Sequence, residues 1–123
     1  MKKILILLLL FSNYSAWAEW VKVMEVTYET GPVTIYIDTT TIRKDGQMRK
    51  IWQLSESKNG PGSVRSRLEY YCKDDQYRFL SFSIFTGKMA SGKETLGPNI
   101  DFPWTDIAPS TAEEKILRFV CAN

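Results

Sequence analysis

The chain has 123 residues, with 16 Lys plus Arg against 14 Asp plus Glu, two cysteines and no histidine. That length suits one domain with a modest core, and so even a charge balance speaks against nucleic acid as the main partner. The missing histidine removes the side chain most used for proton transfer at neutral pH and the commonest metal ligand. Composition therefore favours a non-enzymatic binding or structural domain over a catalyst.

Lys2 and Lys3 precede an unbroken apolar run from Ile4 to Phe11, a polar stretch Ser12-Asn13-Tyr14-Ser15, and the small-residue site Ala16-Trp17-Ala18. This is the order of a secretory signal peptide. We expect a signal segment over 1–18, cleavage between Ala18 and Glu19, and one domain over 19–123; the alternative is an uncleaved amphipathic or buried helix. The apolar run is far short of the ~20 residues that cross a bilayer. The first cysteine is Cys72, so the lipoprotein route has no acceptor at the cleavage point. The mature chain is expected to be exported, periplasmic or extracellular, with no membrane anchor. In an oxidising compartment Cys72 and Cys121 should pair, since no Cys-x-x-Cys suggests redox catalysis. A loop of about 50 residues closed this way is worth roughly 4 kcal/mol. Two free thiols or an intermolecular bridge are the alternatives.

From Trp20 to Thr27 the chain is rich in Val and aromatic residues, and Gly31-Pro32 reads as a turn. Val33, Ile35 and Ile37 then share one strand face, with Thr34, Tyr36 and Asp38 on the other. After Asp45-Gly46, the run Met48 to Leu54 sets Met48, Lys50, Trp52 and Leu54 on one face. Asn59-Gly60-Pro61-Gly62 is a loop. In the following strand, Val64, Leu68, Tyr70 and Cys72 point one way and Arg65, Arg67, Glu69 and Tyr71 the other. Lys73-Asp74-Asp75-Gln76 connects to a long aromatic strand, Tyr77 to Thr86. Strands joined by such short connections are antiparallel neighbours.

The 23 residues from Gly87 to Pro109 hold three glycines and three prolines, and only Asn99 to Trp104 reads as a short edge strand. An irregular stretch this long is either a functional loop or a plain connector. Beyond it, Ser110-Thr111-Ala112-Glu113 fits a capping box with Ser110 as N-cap. Ile116, Leu117, Val120 and Cys121 fall on one helical face. The expected fold is α+β: an antiparallel β-sheet of five to six strands with one C-terminal α-helix packed on it, stapled by the disulfide. Open sheet edges leave room for a homodimer.

Motifs for catalysis do not assemble. Ser55-Glu56-Ser57-Lys58 has the spacing of a serine nucleophile motif but follows a strand and lacks its partner motifs. Asp74-Asp75 reads as a turn and Glu113-Glu114 as a helix start. No cluster has metal-ligand spacing, and no catalytic residue, metal or cofactor is expected. What remains is a charge split. From Arg43 to Arg67 there are seven basic residues against two acidic, and from Glu94 to Glu114 five acidic and no basic. With Lys2 and Lys3 removed, the mature domain is neutral overall. Arg65, Arg67 and Tyr71, with Arg49 on the neighbouring strand, form the candidate protein-binding face, a composition favoured at interfaces. The plain alternative is a solvated face, or one neutralised by the acidic segment. Trp20, Trp52, Tyr70, Phe79 and Phe82 are expected mostly in the core.

Trp20 opening the first strand, Tyr36-x-Asp38 followed by Ile42, Trp52-x-Leu54, Glu69-Tyr70-x-Cys72, Trp104, Ile107-x-Pro109-Ser110 and Cys121 follow one another in an order and spacing that resemble the bacterial surface-adhesin protein E family. The resemblance covers nearly all of 19–123. It implies an antiparallel sheet with a helix, a Gram-negative envelope location, and adhesion to host extracellular-matrix proteins. Two other functions are open from the residues: a periplasmic envelope-maintenance protein, and an inhibitor of a secreted hydrolase that would present a projecting loop.

Overall fold

The computed structural model describes residues 18–122. The expected signal segment, apart from Ala18, lies outside them. The described residues form eight strands and one helix: β1 Trp20–Tyr28, β2 Gly31–Asp38, β3 Arg43–Asp45, β4 Met48–Ser57, β5 Ser63–Tyr71, β6 Gln76–Phe85, β7 Glu94–Leu96, β8 Thr105–Asp106 and α1 Ala112–Ala122. All pair antiparallel in one sheet, in the order β1-β2-β4-β5-β6-β7, with β3 on β4 and β8 on β6. The α+β fold is as expected. Its five long strands are those read from alternation, and the three short ones bring the sheet beyond the expected five or six. The first turn is Glu29-Thr30, and Gly31, at φ +118°, begins β2 instead of turning.

Cross-strand register sorts the side chains into two faces. Ile37 pairs with Gln53, Ile51 with Leu68, Arg49 with Tyr70 and Tyr70 with Tyr77. Paired residues point to the same side, so Ile35, Ile37, Ile51, Leu68 and Tyr70 share one face. Ile116, Leu117 and Val120 of α1 close over them as the core. Each of these side chains is nearly or fully buried, and burial of such a residue stabilises by about 1.5–3 kcal/mol. Tyr70 stacks on Tyr77 at 5.9 Å between ring centroids, and burial pushes its phenol well above the ordinary range.

The helix is fastened at both ends. Near its C-terminus, Cys121 is bonded to Cys72, which follows β5 directly. At its start the N-cap is one residue later than expected: Thr111 Oγ1 accepts from the Glu114 amide at 3.3 Å, while the Glu114 carboxylate accepts from the amide of Ser110, one residue before the cap, at 3.3 Å. Ser110 takes φ +64°, outside the extended geometry of an N-cap. Thr111 holds that position instead.

The 87–109 segment lies along the outer edge of β6. β7 pairs with Ser83–Phe85 and β8 with Tyr77 and Gln76, so the expected strand at 99–104 is replaced by two shorter ones flanking it. Between them, Phe102 packs on Phe79 and Phe82 from the helix side of the sheet. Gly97 allows this approach, since a Cβ there would come within 2.8 Å of the Phe82 ring. The start of the segment is tied down as well: Lys88 Nζ donates to the carbonyls of Ser57 and Gly60, and the Met89 amide to Glu56. Among the described residues, no helix is long and apolar enough to cross a membrane.

Candidate functional site

Among the described residues, no helix packs on the face of the sheet away from α1. The register rows of that face are Trp52 with Arg67, Leu54 with Tyr36 and Arg65, Lys50 with Glu69, and Met48 with Tyr71. From β6 it receives Ser81, Ser83, Phe85 and Arg78. The strand alternation that places Arg65, Arg67 and Tyr71 together is therefore realised. Arg49 is not with them. It pairs with Tyr70, on the helix side of β4, and its guanidinium folds back to donate to the carbonyls of Gly46 at 2.7 Å and Met48 at 2.9 Å. The position beside Arg67 belongs to Trp52.

That substitution changes the character of the face. The Arg65 guanidinium lies between two rings, 5.3 Å from the Trp52 centroid and 5.0 Å from that of Phe85, and Arg67 stands 4.8 Å from Trp52. Planar, weakly hydrated guanidinium groups stack on aromatic faces where an ammonium would not. Leu54 is fully buried beneath this layer. Arg65 also faces Glu94 at 3.7 Å. Among the described residues, this is the one ion pair joining the acidic late segment to the basic middle one. Its Nε, shielded by the rings, has no hydrogen-bond partner among the described residues. Burial, with Arg43 as a second cation nearby, lowers the pKa of the Arg67 guanidinium.

Toward the far end, Arg78 lies 4.6 Å from the Trp104 ring and donates to Glu69 at 2.9 Å, and Tyr71 meets Trp104 edge-on at 6.5 Å. Trp104 and Arg78 thus extend the face; the sequence marked Trp104 only through the family resemblance, with no place on this face, and did not mark Arg78. Trp104 sits in an irregular stretch where no alternation assigns a side, and only pairing of β8 with β6 brings it here. Of the aromatics expected in the core, Tyr70 is buried there and Phe79 packs against it. Trp52 and Trp20 belong to the uncovered face, and Phe82 is covered by Phe102 and the loop at Gly97.

At the near end, a cavity of about 330 Å³ opens between Trp20, Trp52, Arg65, Thr40, Thr41 and Asp38. Asp38 is 3% exposed. Its Oδ1 accepts from Thr40 Oγ1 at 2.6 Å, from the Thr40 amide at 3.0 Å and from the Glu19 amide at 3.2 Å. Burial alone would raise this carboxyl, but the hydrogen bonds outweigh it and hold the pKa below its ordinary value. The whole face, with stacked arginines, tryptophans and a polar rim, has the chemistry of a recognition surface.

A family model described as surface-adhesin protein E matches residues 20–122. Among solved structures, the fold is shared with Haemophilus influenzae protein E, at 16% identity over 88% of this chain and 87% of that one, with a TM-score of 0.65. Its selenomethionine form gives 15% identity over 89% and 90%, with a TM-score of 0.67. Protein E from non-typeable Haemophilus influenzae gives 15% over 90% and 80%, at 0.65. No curated protein matches the chain in sequence.

Proposed function

The chain belongs to the surface-adhesin protein E family, and from that premise we propose that it is an exported, non-enzymatic module that docks a protein partner on the sheet face away from α1. The observation that carries this reading is the stacked layer of Trp52, Arg65, Arg67 and Phe85 on a face that no helix of the described residues covers. Arginine and aromatic side chains held rigidly in this way lose little entropy on docking, which is why they recur as binding anchors. A host extracellular-matrix protein is the partner class that the adhesin family favours. A protein partner contributes its own carboxylates and apolar side chains to such a face. Self-association belongs at the outer edge of β1, against which no other described strand pairs. The inhibitor reading has less support, because the 87–109 segment is tied to β6 at Glu94–Leu96 and Thr105–Asp106.

The test is solid-phase binding of the exported protein to a panel of purified matrix proteins, as wild type and as R65E/R67E. Tenfold or greater weakening, with a shallower salt dependence, is expected in the double variant. Equal binding by both would remove this face from the account. Protease shaving of intact cells adds the location: a mature chain fully protected from external protease would count against adhesion.

A further inference from the structure

The hairpin of β3 and β4 carries its charges in an arrangement that opposes its own pairing. Arg43 stands directly across from Lys50, and Lys44 from Arg49. Like charges at directly opposed strand positions repel. The one carboxylate between Arg43 and Lys50, Asp45, faces Met48 instead. Glu69 lies across from Lys50 on the other side, but it is engaged by Arg78 through both Nε and Nη2. No carboxylate among the described residues is within ion-pair distance of Arg43, Lys44 or Lys50. All three are exposed. A hollow of about 290 Å³ lies beside them, lined by the three cations with Asp45, Met48 and Glu69. A fold that keeps two repelling cross-strand pairs, with no ion pair to offset them, leaves counter-charge to come from outside.

We propose that this hairpin binds a linear anionic polysaccharide, whose sulfate or carboxylate groups line up along Arg43, Lys44 and Lys50. The geometry favours a chain over a single ion, because Arg43 and Lys44 point to opposite faces of a strand and so spread their charges along an edge. It favours a polysaccharide over a lipid surface, because from Arg43 to Lys50 the one apolar side chain is Met48, which is partly buried and unavailable for insertion. It disfavours an added peptide strand, because β3 has only three residues to pair with one. Polyanion binding of this kind proceeds with counterion release, so it weakens steeply with salt. The site adjoins the protein-docking layer around Trp52 and Arg65, since Lys50 and Glu69 lie on the same sheet face and Arg43 stands near Arg67, and the two are told apart by which variant loses which probe.

The experiment titrates the purified exported protein with heparin, poly-L-glutamate and phosphatidylglycerol vesicles at several salt concentrations. It compares wild type with R43E/K44E, which turns both repelling pairs into attracting ones. Heparin should bind wild type more tightly than either other probe. In R43E/K44E, heparin affinity should fall at least tenfold with a shallower salt slope, while Tm rises. R65E/R67E, whose Arg67 stands near Arg43, should lose clearly less heparin affinity than R43E/K44E, and an equal or greater loss there would overturn the assignment to the hairpin. Unchanged heparin affinity in R43E/K44E would overturn the proposal, as would poly-L-glutamate or vesicles binding as tightly as heparin. A fall in Tm would overturn its premise that these charges work against the hairpin.

Discussion

Arg65 combines an ion pair, two ring contacts and a buried Nε in one side chain. A lysine keeps the charge but cannot lie flat between Trp52 and Phe85. R65K should therefore cost about 1 kcal/mol in urea denaturation, with the far-UV spectrum unchanged. Asp38 works differently, as a buried acceptor for three donors at the junction of β2 and the Thr40 turn. Its folded pKa is depressed below that of the unfolded chain. Its contribution is therefore complete above the unfolded value of about 3.9 and is lost as pH falls through the lower, folded value. D38N keeps an oxygen acceptor but removes the charge. It should lower stability at pH 7 by about 1–2 kcal/mol and flatten the loss of stability that wild type shows below about pH 4, as followed by thermal melts across pH.

Among the elements, α1 gives the sharpest tests. With Thr111 as N-cap, T111A should cost about 1 kcal/mol. S110G should be neutral or stabilising, since Ser110 already holds a positive φ that glycine adopts freely; equilibrium unfolding of the two variants distinguishes the caps. The Cys72–Cys121 bond spans 49 residues, so C72S/C121S should lose about 4 kcal/mol by the chain-entropy estimate, read in the urea midpoint. The long strands and the helix were legible because each carries a sustained period: two residues in β2, β4, β5 and β6, and helical spacing at Ile116, Leu117 and Val120. β3, β7 and β8, at two or three residues each, are too short to show a period, and what creates them is pairing with β4 or β6. The cap was displaced by one residue because Ser110 and Thr111 both suit an N-cap, and the backbone conformation that decides between them is not written in composition.

At the level of the whole molecule, one sheet presents two unlike faces: an apolar one closed by α1, and one that the described residues leave uncovered, floored by Leu54 and layered with arginine and tryptophan. Alternation within β5 made Arg65, Arg67 and Tyr71 legible as one side of a strand. Which side of β4 lies beside them was not legible, because both of its parities carry large apolar residues: Ile51 on one, Trp52 and Leu54 on the other. Only the cross-strand register assigns Trp52 to the face of Arg65 and Arg67, and Arg49 to the opposite one. The same register supplies the most direct test of the account. Titration of a matrix protein that binds wild type, against R67E and R49E side by side, compares two single charge reversals on opposite faces of adjacent strands. The account predicts at least a tenfold loss for R67E and less than threefold change for R49E, with both variants folded by circular dichroism. Equal loss in the two, or loss in R49E alone, would contradict it.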